Sequence, residues 1–169
     1  MRITFHKISD ERHALELTRG DGRRERVECE TRSYLRHDLL HYAVESEAGV
    51  RSGLWGSLAR GKTLAKTLAE MNDREGQAMA SGSDEMAAVE QLVGALHGAE
   101  KLGPAAEVVA GMRRFAASLG ATLPPWFTAE LVAAVQERMR QLVGRWRATA
   151  YGSAMDLEWQ DGPPPADRG

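Results

Sequence analysis

The sequence predicts an α+β fold: a three-stranded N-terminal antiparallel meander plus a C-terminal strand, packed on about five α-helices. Two observations carry that reading. Apolar residues alternate with a period of two over residues 2–30 and again near 153–159, and between those stretches they recur every three to four residues. At 169 residues, with 43% hydrophobic and 27% charged residues, the chain is long enough for one sizeable core. We expect a single domain over residues 1–160 and a disordered tail over 161–169, DGPPPADRG.

The strands come first. In RITFHKI, Ile3 and Phe5 alternate with Arg2, Thr4 and His6. In RHALELT, Leu15 and Leu17 share a face with His13, and in RRERVECE, Val27 and Cys29 oppose Arg26, Glu28 and Glu30. Turn residues at Ser9-Asp10 and Gly20-Asp21-Gly22 separate the three. One apolar and one charged face predict a sheet covered on one side only.

Five helical segments follow. The first spans roughly 33–48 and ends at Gly49. A glycine-broken link, GVRSGLWGSLARG, leads into TLAKTLAEM. The next helix begins near Ser81 or Ser83 with Met86, Val89, Val93 and Leu96 on one stripe. Another runs from Pro104 to Leu119 with Val108, Met112, Phe115 and Leu119 in line. The last starts at Thr128, with Phe127 placed to staple against Val132 and a core stripe of Leu131, Val135, Met139, Leu142 and Trp146. After Gly152, SAMDLEW returns to strand period, and its natural partner is the N-terminal sheet.

Composition excludes several functions. The net charge of -2 gives no global field for nucleic acid. No apolar run approaches the ~20 residues of a membrane helix, and MRITFHKISDER lacks the apolar core of a secretory signal. The single cysteine, Cys29, excludes an intrachain disulfide and a cysteine-rich zinc site. Together these indicate a cytoplasmic protein.

The stretch with the most chemistry is HDLLHYAVE, residues 37–45. On a helix His37 and His41 stand one above the other, ~6 Å apart, and two neutral imidazoles so placed can share a zinc ion or another divalent transition metal. Metal-dependent hydrolases use H-E-x-x-H in this way, with Glu turned toward the metal-bound water. Here the motif is HDxxH. Asp38 stands where that Glu would be, one methylene shorter, as the candidate catalytic residue. Glu45 lies ~12 Å along the axis from His37 and cannot join both histidines on one ion. A third ligand must come from another element. Glu70 opens Glu70-Met-Asn-Asp73, similar to the E-x-x-D that supplies the third ligand in gluzincin-type peptidases, and His97 is a second candidate. The plainer reading of the same residues is a solvated or structurally hydrogen-bonded face: Tyr34, His37, Asp38, His41, Tyr42 and Glu45 fill one half of the helix opposite Leu35, Leu39, Leu40, Ala43 and Val44.

HDLLHYAVE followed by Gly53-Leu54-Trp55-Gly56 resembles a family of small uncharacterised bacterial proteins, with RWRATAYGSAMDLEW near the end extending the likeness over most of the chain. The resemblance implies a bacterial, cytoplasmic setting and no particular activity.

Other signals read as structural. GSLARGKT, residues 56–63, fits the letters of a phosphate-binding loop but has no strand before it and no βαβ context. Arg138, Arg140, Arg145 and Arg147 surround Trp146, yet Trp146 belongs to the core stripe and cations favour a helix C-terminus. Cys29 alternates inward as a core thiol, and Trp55 packs in its link. Two functional classes stay open. One is a non-enzymatic interaction module that binds a partner or forms a homo-oligomer, which the balance of features favours. The other is a metal-binding protein or zincin-like hydrolase built on His37 and His41, with Glu70 or His97 completing the site.

Overall fold

The computed structural model describes residues 1–67, 69 and 84–160. Three strands, β1 (Arg2–Lys7), β2 (Arg12–Thr18) and β3 (Arg24–Glu30), form the expected antiparallel meander, and β4 (Ala154–Glu158) pairs antiparallel with β1. The order is β3-β2-β1-β4. Register places Phe5 opposite Leu15 and Met155, and Leu15 opposite Val27. Because strand side chains alternate, this register gathers Ile3, Phe5, Leu15, Leu17, Met155 and Leu157 onto one buried face.

Beside the sheet lie α1 (Arg36–Ala48), α2 (Leu54–Ala59), α3 (Asp84–Ala95), α4 (Ala105–Ser118) and α5 (Ala129–Ala148), and residues 64–67 are also helical. A π-helical turn over Thr31–Leu35 carries the chain from β3 into α1, so the helix expected from about 33 begins three residues later. Gly49 closes α1 in the left-handed region, φ 70°, where a side chain would be strained. Thr128 caps α5 by accepting the Leu131 amide at 3.2 Å, and Phe127 and Val132 are both buried as a staple requires. At the other end of α5 the Lys7 ammonium donates to the carbonyls of Trp146, 3.2 Å, and Thr149, 2.9 Å.

Trp55 of α2 meets Phe5 edge-on at 6.3 Å between ring centroids, and Trp146 of α5 meets His13 at 6.0 Å. These aromatic contacts join the helical layer to the inner sheet face. The free edge of β4 is covered from the same layer: Tyr42 Oη donates to the Glu158 carbonyl at 2.9 Å and Arg145 Nη2 to that of Asp156 at 2.7 Å.

One predicted stripe is wrong in part. Val109 and Ala116 are the buried residues of α4, Val108 and Met112 are half-buried, and Phe115 and Leu119 are exposed by 67% and 68%. The helix turns its Val109–Ala116 side to α5, one step around the wheel from the Val108–Leu119 line. The expected tail, 161–169, lies outside the described residues.

Candidate metal centre on the histidine helix

The polar half of α1 is not a solvated face. His41 is 1% exposed, Glu45 0% and Asp38 5%. This overturns the solvated half of the expectation for this face and agrees with its structurally hydrogen-bonded half: Glu45 is satisfied by amides of α2, His41 Nδ1 by Glu45, and Asp38 faces His37 on the same helix. Buried polar groups are tolerated only when they are partnered.

Glu45 has the most partners. Its Oε1 accepts the Leu54 amide at 2.8 Å, and its Oε2 accepts those of Trp55 at 3.0 Å and Gly56 at 3.4 Å. A carboxylate on three first-turn amides satisfies donors that the short helix α2 would otherwise leave orphaned, at its positive end. The approach needs glycine. A Cβ on Gly53 would sit 2.5 and 2.6 Å from the two Glu45 oxygens, and one on Gly56 would fall on the Arg51 carbonyl. Trp55 Nε1 donates to the Asp38 carbonyl at 3.1 Å, so the indole ties α2 back to the start of α1. The HDLLHYAVE and Gly-Leu-Trp-Gly segments are therefore two halves of one interaction.

The same Glu45 Oε1 lies 3.1 Å from His41 Nδ1. That fixes the His41 ring and turns Nε2 outward, where it has no hydrogen-bond partner and faces Glu90 Oε2 of α3 at 3.6 Å. Burial pulls the His41 pKa down, but the Glu45 and Glu90 carboxylates outweigh it and lift it to about 9. His37 stacks edge-on against His41, 4.6 Å between centroids, and its Nδ1 lies 3.5 Å from Asp38 Oδ1. His37, His41 and Glu90 each offer one ligand atom within 4.8 Å of the others, a set that could hold a metal ion.

The His37 and His41 side chains thus converge. Asp38, expected to turn toward a bound water, instead faces His37 and is buried. His97 lies in the turn after α3, exposed and outside the group. Glu70 lies outside the described residues. Glu90 went unnoticed in the sequence. Its signal was there: an acid immediately beside Val89, at the edge of an apolar stripe.

Two other expectations concern neighbouring segments. GSLARGKT begins inside α2, preceded by α1 rather than a strand, and the buried Arg19 guanidinium donates to the carbonyls of Leu58 and Lys62 within it. Its backbone is thereby committed to internal bonds, unlike a loop that wraps phosphate. Cys29 is buried opposite His13 in the β2–β3 register, and burial first, then the charge of Asp38, push its thiol up to about 11. Comparison with family models, with curated proteins and with solved structures finds no match to this chain.

Proposed function

We propose that the protein binds a divalent transition metal of the zinc class through a ring nitrogen of His37, His41 Nε2 and a Glu90 carboxylate oxygen. The observation that carries the proposal is His41: a buried imidazole with Nδ1 fixed by a carboxylate and an unpartnered Nε2 facing a second acid. Metal-ligating histidines almost always give their other nitrogen to such an outer partner. In this reading Glu45 positions His41 and leaves its Nε2 for the ion, and His37, whose Nδ1 has no hydrogen-bond partner, supplies one ring nitrogen. A metal arriving at Nε2 displaces the proton that the two acids otherwise hold on His41.

Three protein ligands would leave one position of a tetrahedral zinc open, and the side chains of His37 and Glu90 are 27% and 40% exposed, so solvent reaches the group. Such a site can take a water or an anionic ligand oxygen. Elemental analysis of protein purified without an affinity tag tests the metal assignment. Near-stoichiometric metal that disappears in His37→Ala and in Glu90→Ala is the expected result, and metal retained by both variants contradicts the assignment.

The second reading, a non-enzymatic module that self-associates, is favoured by Phe115 and Leu119, two large apolar residues one helical turn apart and exposed at the end of α4. It is compatible with a metal that only ties α3 to α1. Light scattering on wild type and Phe115→Ser tests it: a dimer lost in the variant supports it, and a monomer over the micromolar range removes it. The bacterial and cytoplasmic setting implied by the motif resemblance belongs to the same proposal.

A further inference from the structure

A cleft of about 190 Å³ opens between the π-helical turn, the first turn of α1 and the end of α5. Its floor is apolar, made by Leu35, Leu39, Val143 and Trp146, and its rim carries Arg32, Arg36 and Arg147. On α1 it lies on the Leu35–Leu39 side, opposite the His37–His41 side, and it is independent of the metal reading.

The charge at this rim is only partly answered. Arg36 is paired with Glu100. Among the described residues, Arg32 and Arg147 have no ion pair within 4.0 Å, although Arg32 also borders the shallow cavity that carries Glu11, Glu28 and Glu30. Two guanidiniums without a direct ion pair at the mouth of an apolar floor offer charged donors there, on a chain whose net charge is -2. A guanidinium offers a planar fork of donors that matches a carboxylate with two parallel bonds. The remaining 8% exposure of Trp146, a residue of this floor, supplies an aromatic edge for a flat apolar group. The volume limits the occupant, since a cavity of about 150 Å³ takes benzene.

We infer that the cleft is a binding site for a small organic monocarboxylate, with its single ring or short branched chain on Leu39, Val143 and Trp146 and its carboxylate between Arg32 and Arg147. Both parts of the ligand are required. A neutral molecule of the same shape leaves the guanidiniums unanswered, and a carboxylate without an apolar body leaves the floor uncovered.

Benzoate is the probe, with benzyl alcohol and acetate as the uncharged and the ringless controls. Titrations followed by nuclear magnetic resonance are expected to show benzoate shifting the Trp146 indole N–H and the Leu39 and Val143 methyl signals together. Benzoate should bind at least about tenfold more tightly than either control, as a charge-assisted paired contact predicts. Arg32→Gln and Arg147→Gln should each weaken benzoate by about tenfold and leave benzyl alcohol unchanged. Both arginines are exposed, so these variants keep the fold, which circular dichroism checks. Benzoate binding no better than benzyl alcohol, shifts confined to other residues, or affinity unaltered in both arginine variants would each overturn the inference.

Discussion

Replacing Glu45 by Ala should be among the most damaging single changes in this chain, and Gly53 should reveal why. The substitution removes the acceptor of three amides of α2 and the partner of His41 Nδ1, all inside the protein. Removing one partner of a buried hydrogen-bonded ion pair costs about 3–5 kcal/mol. For a domain of this size each kcal/mol lowers the melting temperature by about 2–4 °C, so a fall of roughly 6–20 °C is expected. Gly53→Ala is the diagnostic partner. Its φ of -73° suits alanine, so its cost in wild type should come only from the clash with the Glu45 carboxylate, about 1–3 kcal/mol. In a Glu45→Ala background that clash is gone, and Gly53→Ala should become neutral or gain about 0.4–1 kcal/mol from a stiffer unfolded chain. Urea unfolding of the four proteins gives the coupling directly. An equal cost of Gly53→Ala in both backgrounds, or a loss below about 1 kcal/mol for Glu45→Ala, would refute the shared-carboxylate argument.

His13 and Cys29 give two further tests. Burial holds the His13 pKa below its usual value, so the unfolded chain binds the proton more readily. The stability His13 contributes is therefore fully present above the unfolded pKa of about 6.5 and is lost as pH falls through the folded value. Urea midpoints of His13→Leu should converge toward those of wild type, or pass them, only below about pH 6.5; a difference independent of pH would contradict this. With its thiol pushed up to about 11, Cys29 should be about one part in a thousand thiolate at pH 8, so iodoacetamide should label it slowly until urea unfolds the chain. Labelling of the folded protein at the rate of a free thiol, read by mass spectrometry, would show that the thiol is not shielded.

The strands were legible because a half-buried sheet writes its period directly into the sequence. Ile3, Phe5, Leu15 and Leu17 need no tertiary knowledge to be placed on one face, and the same holds for Met155 and Leu157 of β4. Thr128 and Gly49 marked helix ends for equally local reasons. Phe115 and Leu119 misled because helical spacing shows that a stripe exists and not that another element covers it. The histidine helix misled in the opposite sense. A row of His, Asp and Glu looks solvated unless their partners are known, and those partners are amides at 54–56 and a carboxylate at 90. The pairing of His37 with His41 and the distance that separates Glu45 from His37 followed from helix geometry. The third acid required the packing of α3 on α1. His97 and Glu90 are seven residues apart and would share a helix face, but α3 ends at Ala95 and the turn carries His97 into solvent.

The central claim is the three-ligand site, and a zinc titration against a chromogenic chelator tests it most directly. Wild type should withdraw one equivalent of zinc. Glu90→Ala and His41→Ala should withdraw none, and Glu45→Gln, which touches no metal, should still bind but about 10–100-fold more weakly, as loss of an outer-shell carboxylate predicts. Wild-type protein that leaves the chelator fully loaded, or a Glu90→Ala variant that competes as well as wild type, would contradict the account.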